Sequence, residues 1–228
     1  PFASGAAPFG VAFSPITNEG NIFLATANAN DGTSSVYQVN QDTGVLTPIQ
    51  TLPITDGSNN LWKVAYSPVT PSGQMFVAFA ISQVDTSKVY QVNTSTGLIG
   101  TTAVSTFNAG CYSAAFSPIT LSGNLFLAST DNSPNAVHIY SVNTTIGALT
   151  EVSGSPYSLS TVGLSASVSF SPLDASGNLV LSVINFAGQG VTYVVNPSTG
   201  QLSNQLSLTG LNNPQNVTYS PYISSTGE

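Results

Sequence analysis

An aromatic-Ser-Pro element occurs five times along the chain, as Phe13-Ser14-Pro15, Tyr66-Ser67-Pro68, Phe116-Ser117-Pro118, Phe170-Ser171-Pro172 and Tyr219-Ser220-Pro221. Successive serines lie 53, 50, 54 and 49 residues apart. An interval this regular means one small unit repeated, each copy burying its apolar faces against its neighbours. Two further anchors keep their order inside four units. Gly-Asn or Gly-Gln opens an apolar run at Gly20-Asn21, Gly73-Gln74, Gly123-Asn124 and Gly177-Asn178. A Tyr-containing segment then leads to an Asn-to-Gly turn at Asn40 and Gly44, Asn93 and Gly97, Asn143 and Gly147, and Asn196 and Gly200.

Each unit reads as four strands. The first, such as 11–14, is stopped by a proline, which cannot donate to a ladder. The second is continuously apolar, as a strand covered on both faces should be. The third alternates, as in Val36-Tyr37-Gln38-Val39, and its Asn-x-x-x-Gly exit suits a tight hairpin with glycine at positive φ. The fourth is the weakest signal, expected around 45–52, 98–107, 149–157 and 202–208. No segment carries helical periodicity with caps. Radial repetition of one four-stranded antiparallel sheet explains the fixed period better than a sandwich does. The expected fold is therefore all-β, a β-propeller of about four and a half blades. Its units run approximately 10–62, 63–112, 113–166 and 167–215, with a partial unit over 216–228, in one repeat region spanning 1–228. Residues 1–10 read as the tail of a fourth strand, and the chain stops where a second strand would start. The stretch is thus expected to be a portion of a longer chain in a partial or open propeller, with its unpaired terminal blades available for self-association.

The succession Val11-Ala12-Phe13-Ser14-Pro15, Ser122-Gly123-Asn124-Leu125-Phe126-Leu127-Ala128 and Val36-Tyr37-Gln38-Val39-Asn40 with Thr43-Gly44 and Leu46 resembles the lactonase-like seven-bladed propellers and related surface-layer propeller repeats. The resemblance covers nearly the whole chain. It implies blade architecture, and for lactone hydrolysis it implies a polar central mouth carrying His, Arg and carboxylates.

Composition argues against that chemistry within this stretch. Charged residues make up 5% of the chain, the net charge is −7, and Lys63 and Lys88 are its only strong bases. A chain without clustered Lys and Arg does not neutralise phosphates, so nucleic acid is not an expected partner. No apolar run approaches the ~20 residues of a membrane-spanning helix. His138 is the only imidazole. It aligns with Ser35 and Lys88 at the entry to a third strand and reads as an exposed strand residue. Asp31, Asp56, Asp85 and Asp131 fall on the face of the irregular loops, but their spacing matches no calcium loop, so no metal or cofactor is expected. Cys111 reads as a small buried hydrophobe. No catalytic residue is assigned.

The loop face also carries Trp62, Phe107, Tyr112, Tyr157 and Phe186. Aromatic rings on irregular loops can stack on sugars or anchor a protein, and Trp62, Tyr112, Tyr157 and Phe186 are the candidate ligand-binding residues, against the plainer reading that they seal blade seams. Asn93, Asn143 and Asn216 head N-glycosylation sequons, although Asn40 and Asn196 hold the same turn position without one. The expectation is a non-catalytic extracellular or cell-surface propeller, acting as a structural, adhesive or recognition module for a protein or glycan. The alternative is part of a lactonase-like hydrolase whose catalytic residues lie outside this stretch.

Overall fold

The structure, a computed structural model, describes residues 2–55, 60–82, 86–132, 135–159 and 165–220. Among these residues there is no helix, and the strands form four antiparallel sheets in chain order. The first sheet is built of β1 (Pro8–Phe13), β2 (Ile22–Asn28), β3 (Thr33–Val39) and β4 (Leu46–Pro53). The second holds β5 (Leu61–Tyr66), β6 (Met75–Ile81), β7 (Thr86–Val92) and β8 (Ser105–Ala109). The third holds β9 (Ala114–Phe116), β10 (Phe126–Asn132), β11 (Asn135–Val142), β12 (Leu149–Glu151) and the short β13 (Tyr157–Ser158). The fourth holds β14 (Ser165–Phe170), β15 (Leu179–Asn185), β16 (Gly190–Val195) and β17 (Leu202–Leu208).

Within each sheet the strands follow one another as a meander. The first strands gather, β1 beside β5, β5 beside β9 and β9 beside β14, while the last strands lie outward. This is the blade arrangement of a propeller, as the repeat requires.

The repeated serine closes the first hairpin of every blade. Ser14, Ser67, Ser117 and Ser171 each accept, through Oγ, the backbone N–H of the residue that opens the apolar run: Phe23, Phe76, Phe126 and Val180, at 2.9, 2.9, 2.9 and 3.0 Å. The Oγ of Ser14, Ser67 and Ser117 also donates to the carbonyl of the following proline at 2.8 Å. A short hydroxyl is needed because the Phe23, Phe76 and Phe126 N–H groups are buried, and a buried donor left without an acceptor costs about 1–3 kcal/mol.

The seams between blades hold the core. Phe23, Ala25 and Ala27 of the first blade meet Val64, Met75, Val77, Phe79 and Ile81 of the second. Phe76, Ala78 and Ala80 pack on Leu125, Leu127 and Tyr140, and Phe126 and Ala128 on Leu179, Leu181 and Tyr193. Because strand side chains alternate, one face of β6 or β10 looks forward to the next blade and the other looks back, which is why β6 is apolar throughout and β10 opens on Phe126-Leu127-Ala128.

The Asn-to-Gly turns complete each seam. Asn40, Asn93, Asn143 and Asn196 accept through Oδ1 from backbone N–H groups two and three residues on, and the glycines that follow have φ between 69° and 77°. Gly97, Gly147 and Gly200 also sit on the rings of Phe23, Phe76 and Phe126 from the preceding blade, where a Cβ would come within 2.4, 2.7 and 2.7 Å of a ring carbon. At Gly44 nothing lies within 4 Å. Consistently, Val11 and Phe13 of β1 are 63% and 60% exposed, whereas Val64 and Phe170, on the same face of β5 and β14, are 6% and 7% exposed.

Three details differ from the sequence reading. The fourth strand of the second blade was expected over 98–107 but pairs only at Ser105–Ala109, after an isolated Val92 to Ile99 bridge. The expected strand over 149–157 is split into β12 and β13 by a turn at Gly154, where φ is 93°. Of the partial unit expected over 216–228, residues 221–228 lie outside the described residues and 216–220 form no strand. Asn216 and Tyr219 nonetheless contact the fourth blade, through Ser167 Oγ at 2.7 Å and Ser182 Oγ at 2.5 Å.

Candidate ligand-binding mouth

Counting back five residues from each repeated serine gives Phe9, Trp62, Tyr112 and Ala166, one at the start of each first strand or just before it. Strand pairing places Pro8, Asn28, Thr33 and Pro53 along one edge of the first sheet, so these positions share a face with the second-to-third-strand loops. Gly10 lets β1 approach closely, since a Cβ there would be 2.7 Å from the Trp62 carbonyl oxygen and 2.9 Å from Lys63 Cα. The approach brings the Phe9 and Trp62 rings to 4.6 Å. Trp62 then meets Tyr112 at 5.0 Å, and Tyr112 meets Phe186 edge-on at 6.4 Å. In the fourth blade the register position is the small, buried Ala166, and the row is continued by Phe186 from the β15–β16 loop.

Four rings from four blades therefore form one continuous row where the first strands converge. Phe9 is 60% exposed, and Trp62, Tyr112 and Phe186 are half-buried. Trp62 Nε1 is buried without an acceptor. Lys63, next along β5, is half-buried, and desolvation lowers its ammonium pKa from the ordinary lysine value.

Three of the four expected aromatics thus come together, joined by Phe9, whose signal was its repeat register. Tyr157 lies apart in the seam between the third and fourth blades, packed on the core there, and its Oη accepts the Leu202 N–H at 3.1 Å. Phe107 is buried in the preceding seam, 6.3 Å from the Tyr140 ring. Asn93 and Asn143 are exposed turn residues, as is Asn216 in the segment after β17.

His138 is not the exposed residue expected from its strand position. Its side chain is 12% exposed, its Nδ1 is 2.7 Å from Glu151 Oε1, and its Nε2 is 3.5 Å from Asp131 Oδ2. It stacks on Tyr140 with the planes 7° apart. Burial, and after it the Glu151 carboxylate, pushes the Tyr140 hydroxyl up to about 12. The two carboxylates come from β10 and β12, so a reading along one strand does not see them. The cluster sits on the third strand of its blade, away from the converging first strands.

Asp31 is engaged by the N-terminal segment: its Oδ2 accepts the Ala6 N–H at 2.7 Å. Asp56 and Asp85 lie outside the described residues, among which no three His, Cys, Asp or Glu side chains gather as a metal site. Cys111 is fully buried, and burial pushes its thiol up to about 12.

No family model and no curated protein matches this sequence. Solved structures do resemble it. With a TM-score of 0.67 and 18% identity, the chain superposes on a candidate 6-phosphogluconolactonase from Bacteroides uniformis, over 92% of this chain and 59% of that one. On a periplasmic gluconolactonase of Pseudomonas aeruginosa the TM-score is 0.61 at 20% identity, over 96% and 61%. On a structure of a nidogen/laminin complex it is 0.56 at 16% identity, over 96% and 70%. The chain spans about three fifths of the length of the two lactonase-type proteins. Likeness at these identities carries architecture alone, and the architecture is that of the lactonase-like β-propellers.

Proposed function

We propose that these four blades form the ligand-holding part of a lactonase-like propeller, acting on a sugar-acid lactone, with the hydrolytic groups contributed from outside residues 1–228. The observation that carries this reading is the aromatic row at the converging ends of the first strands. Opening a lactone with water needs a general base within hydrogen-bond reach of the attacking water, or a metal that acidifies it. The first strands β1, β5, β9 and β14 contain no Asp, Glu or His, and the one imidazole is held between two carboxylates in a seam. Among the described residues, what the first strands supply at the mouth is apolar ring surface and the Lys63 ammonium group. That equipment holds and orients a sugar ring; it does not activate water. An extracytoplasmic setting agrees with the low charge and with the similarity to a protein named as periplasmic.

Trp62 is the only tryptophan, so its fluorescence reports directly on the mouth. Titration with glucono-δ-lactone is expected to change that emission without acid release when residues 1–228 are tested alone, and acid release is expected from the longest natural polypeptide containing them. Hydrolysis by residues 1–228 alone would place the reacting groups inside this stretch and overturn the proposal, as would an unresponsive Trp62 together with an inert longer polypeptide.

A further inference from the structure

The geometry points to a site longer than one sugar: Phe9, Trp62, Tyr112 and Phe186 form a strip that takes a neutral oligosaccharide, successive pyranose rings lying along successive blades. The inference rests on the mouth being the ligand face, and deepens that reading by naming the ligand's length and charge. Three features of the row carry it.

The rings follow one another, one from each blade, with neighbouring centroids 4.6, 5.0 and 6.4 Å apart and planes turned 52°, 47° and 78° from one to the next. A succession of apolar rings, one per blade, matches a ligand that repeats an apolar ring face with polar edges, which is the chemistry of linked pyranoses. The strip is also incompletely buried. Phe23, Phe76 and Phe126, whose rings do seal the seams, are at most 1% exposed, whereas Trp62, Tyr112 and Phe186, each with a blade on either side or at the row's end, are half-buried. Aromatic surface kept in water at the start of the innermost strands has a use beyond seam packing.

Charge then selects among ligands. With Lys63 the only cation on the first strands and the chain at a net −7, an acidic polymer gains little and is repelled overall. A charged peptide finds few partners on a surface with 5% charged residues. An uncharged polyhydroxylated chain needs no ion pair. The Trp62 N–H, buried without an acceptor, gains one if the indole turns toward a sugar hydroxyl.

The test uses neutral oligosaccharides of one to five units (β-1,4-linked glucose, α-1,4-linked glucose and β-1,4-linked N-acetylglucosamine), followed by Trp62 fluorescence and calorimetry. Affinity for one series is expected to rise at least tenfold between one and four units. Phe9→Ala and Tyr112→Ala are each expected to weaken the four-unit ligand by about two- to tenfold. Tyr157→Phe, outside the row, should leave affinity as it is. Affinity independent of length, no binding in any series, or full binding by the Phe9→Ala protein overturns the proposal. Lactone hydrolysis is read separately: length-dependent binding in a protein that opens no lactone would keep the strip and discard the reaction.

Discussion

Replacing the turn glycines one at a time by alanine separates backbone conformation from packing between blades. All four have positive φ, 69° at Gly44 and 74° at Gly97, where an L-residue costs about 1–2 kcal/mol. Part of that is offset by the smaller entropy of the unfolded alanine chain, about 0.4–1 kcal/mol. For Gly44→Ala nothing else is lost, because no atom lies within 4 Å of the new Cβ, and the net cost is about 0.5–1 kcal/mol. In Gly97→Ala the Cβ arrives 2.4 Å from a Phe23 ring carbon, and that ring is fully buried with no room to retreat. Overpacking of this kind adds about 1–3 kcal/mol. Gly97→Ala should therefore cost about 2–4 kcal/mol, with Gly147→Ala and Gly200→Ala close behind. At roughly 2–4 °C per kcal/mol for a chain of this size, thermal unfolding should drop by about 2 °C for Gly44→Ala and about 5–15 °C for Gly97→Ala. Urea unfolding supplies the free energies, and a cycle with Phe23→Leu should show coupling of about 1 kcal/mol or more with Gly97→Ala and none with Gly44→Ala. Equal costs at Gly44 and Gly97, or no coupling to Phe23, would refute the argument that the turns receive the neighbouring blade's ring.

Ser67→Ala removes the acceptor for the buried Phe76 N–H and should destabilise by about 1–3 kcal/mol in urea, more than Ser171→Ala at its half-buried site. At Asp31 burial opposes ionisation, but hydrogen bonds from Ala6 and Thr33 outweigh it and lower the carboxyl below its ordinary 3.8. The bond to Ala6 is thus fully present above pH of about 4 and is lost as pH falls through the lowered value. Protection of the Ala6 amide, its exchange rate compared with that of the free peptide at the same pH, should fall on acidification below about pH 4, and Asp31→Asn should show no such pH step.

Much of the fold was legible because the repeat carries its own register. The serine, the glycine-opened run and the Asn-to-Gly turn mark the same points in each blade, and the hydroxyl clamp and seated ring explain why those residue types recur. Fourth strands were least legible, being outermost and held on one side only: Leu202–Leu208 was read correctly, whereas Ser105–Ala109 was displaced by a break near Thr101 and Thr102. At the mouth, Trp62 and Tyr112 were singled out for type and loop placement, and Phe9 was missed although it stands five residues before Ser14 as they stand before Ser67 and Ser117. Tyr157 shows the limit of that approach, since a ring on the loop face can equally turn into a seam. His138 shows another limit: two carboxylates far along the chain decide its surroundings.

The seating of a phenylalanine under the next blade's glycine makes each joint directional, with a plug on one side of a sheet and a socket on the other. Since every joint among the first three blades uses the same pair, joints are interchangeable. Excising one whole period, such as residues 67–116, would present Phe23 to Gly147 and leave a matched joint, whereas a cut that is not a multiple of the period would leave a plug without its socket. A chain built this way gains or loses sheets as whole units, while its loops absorb differences of a few residues between periods, and the Val180 that stands where other blades carry phenylalanine makes the fourth sheet the one with the smallest plug.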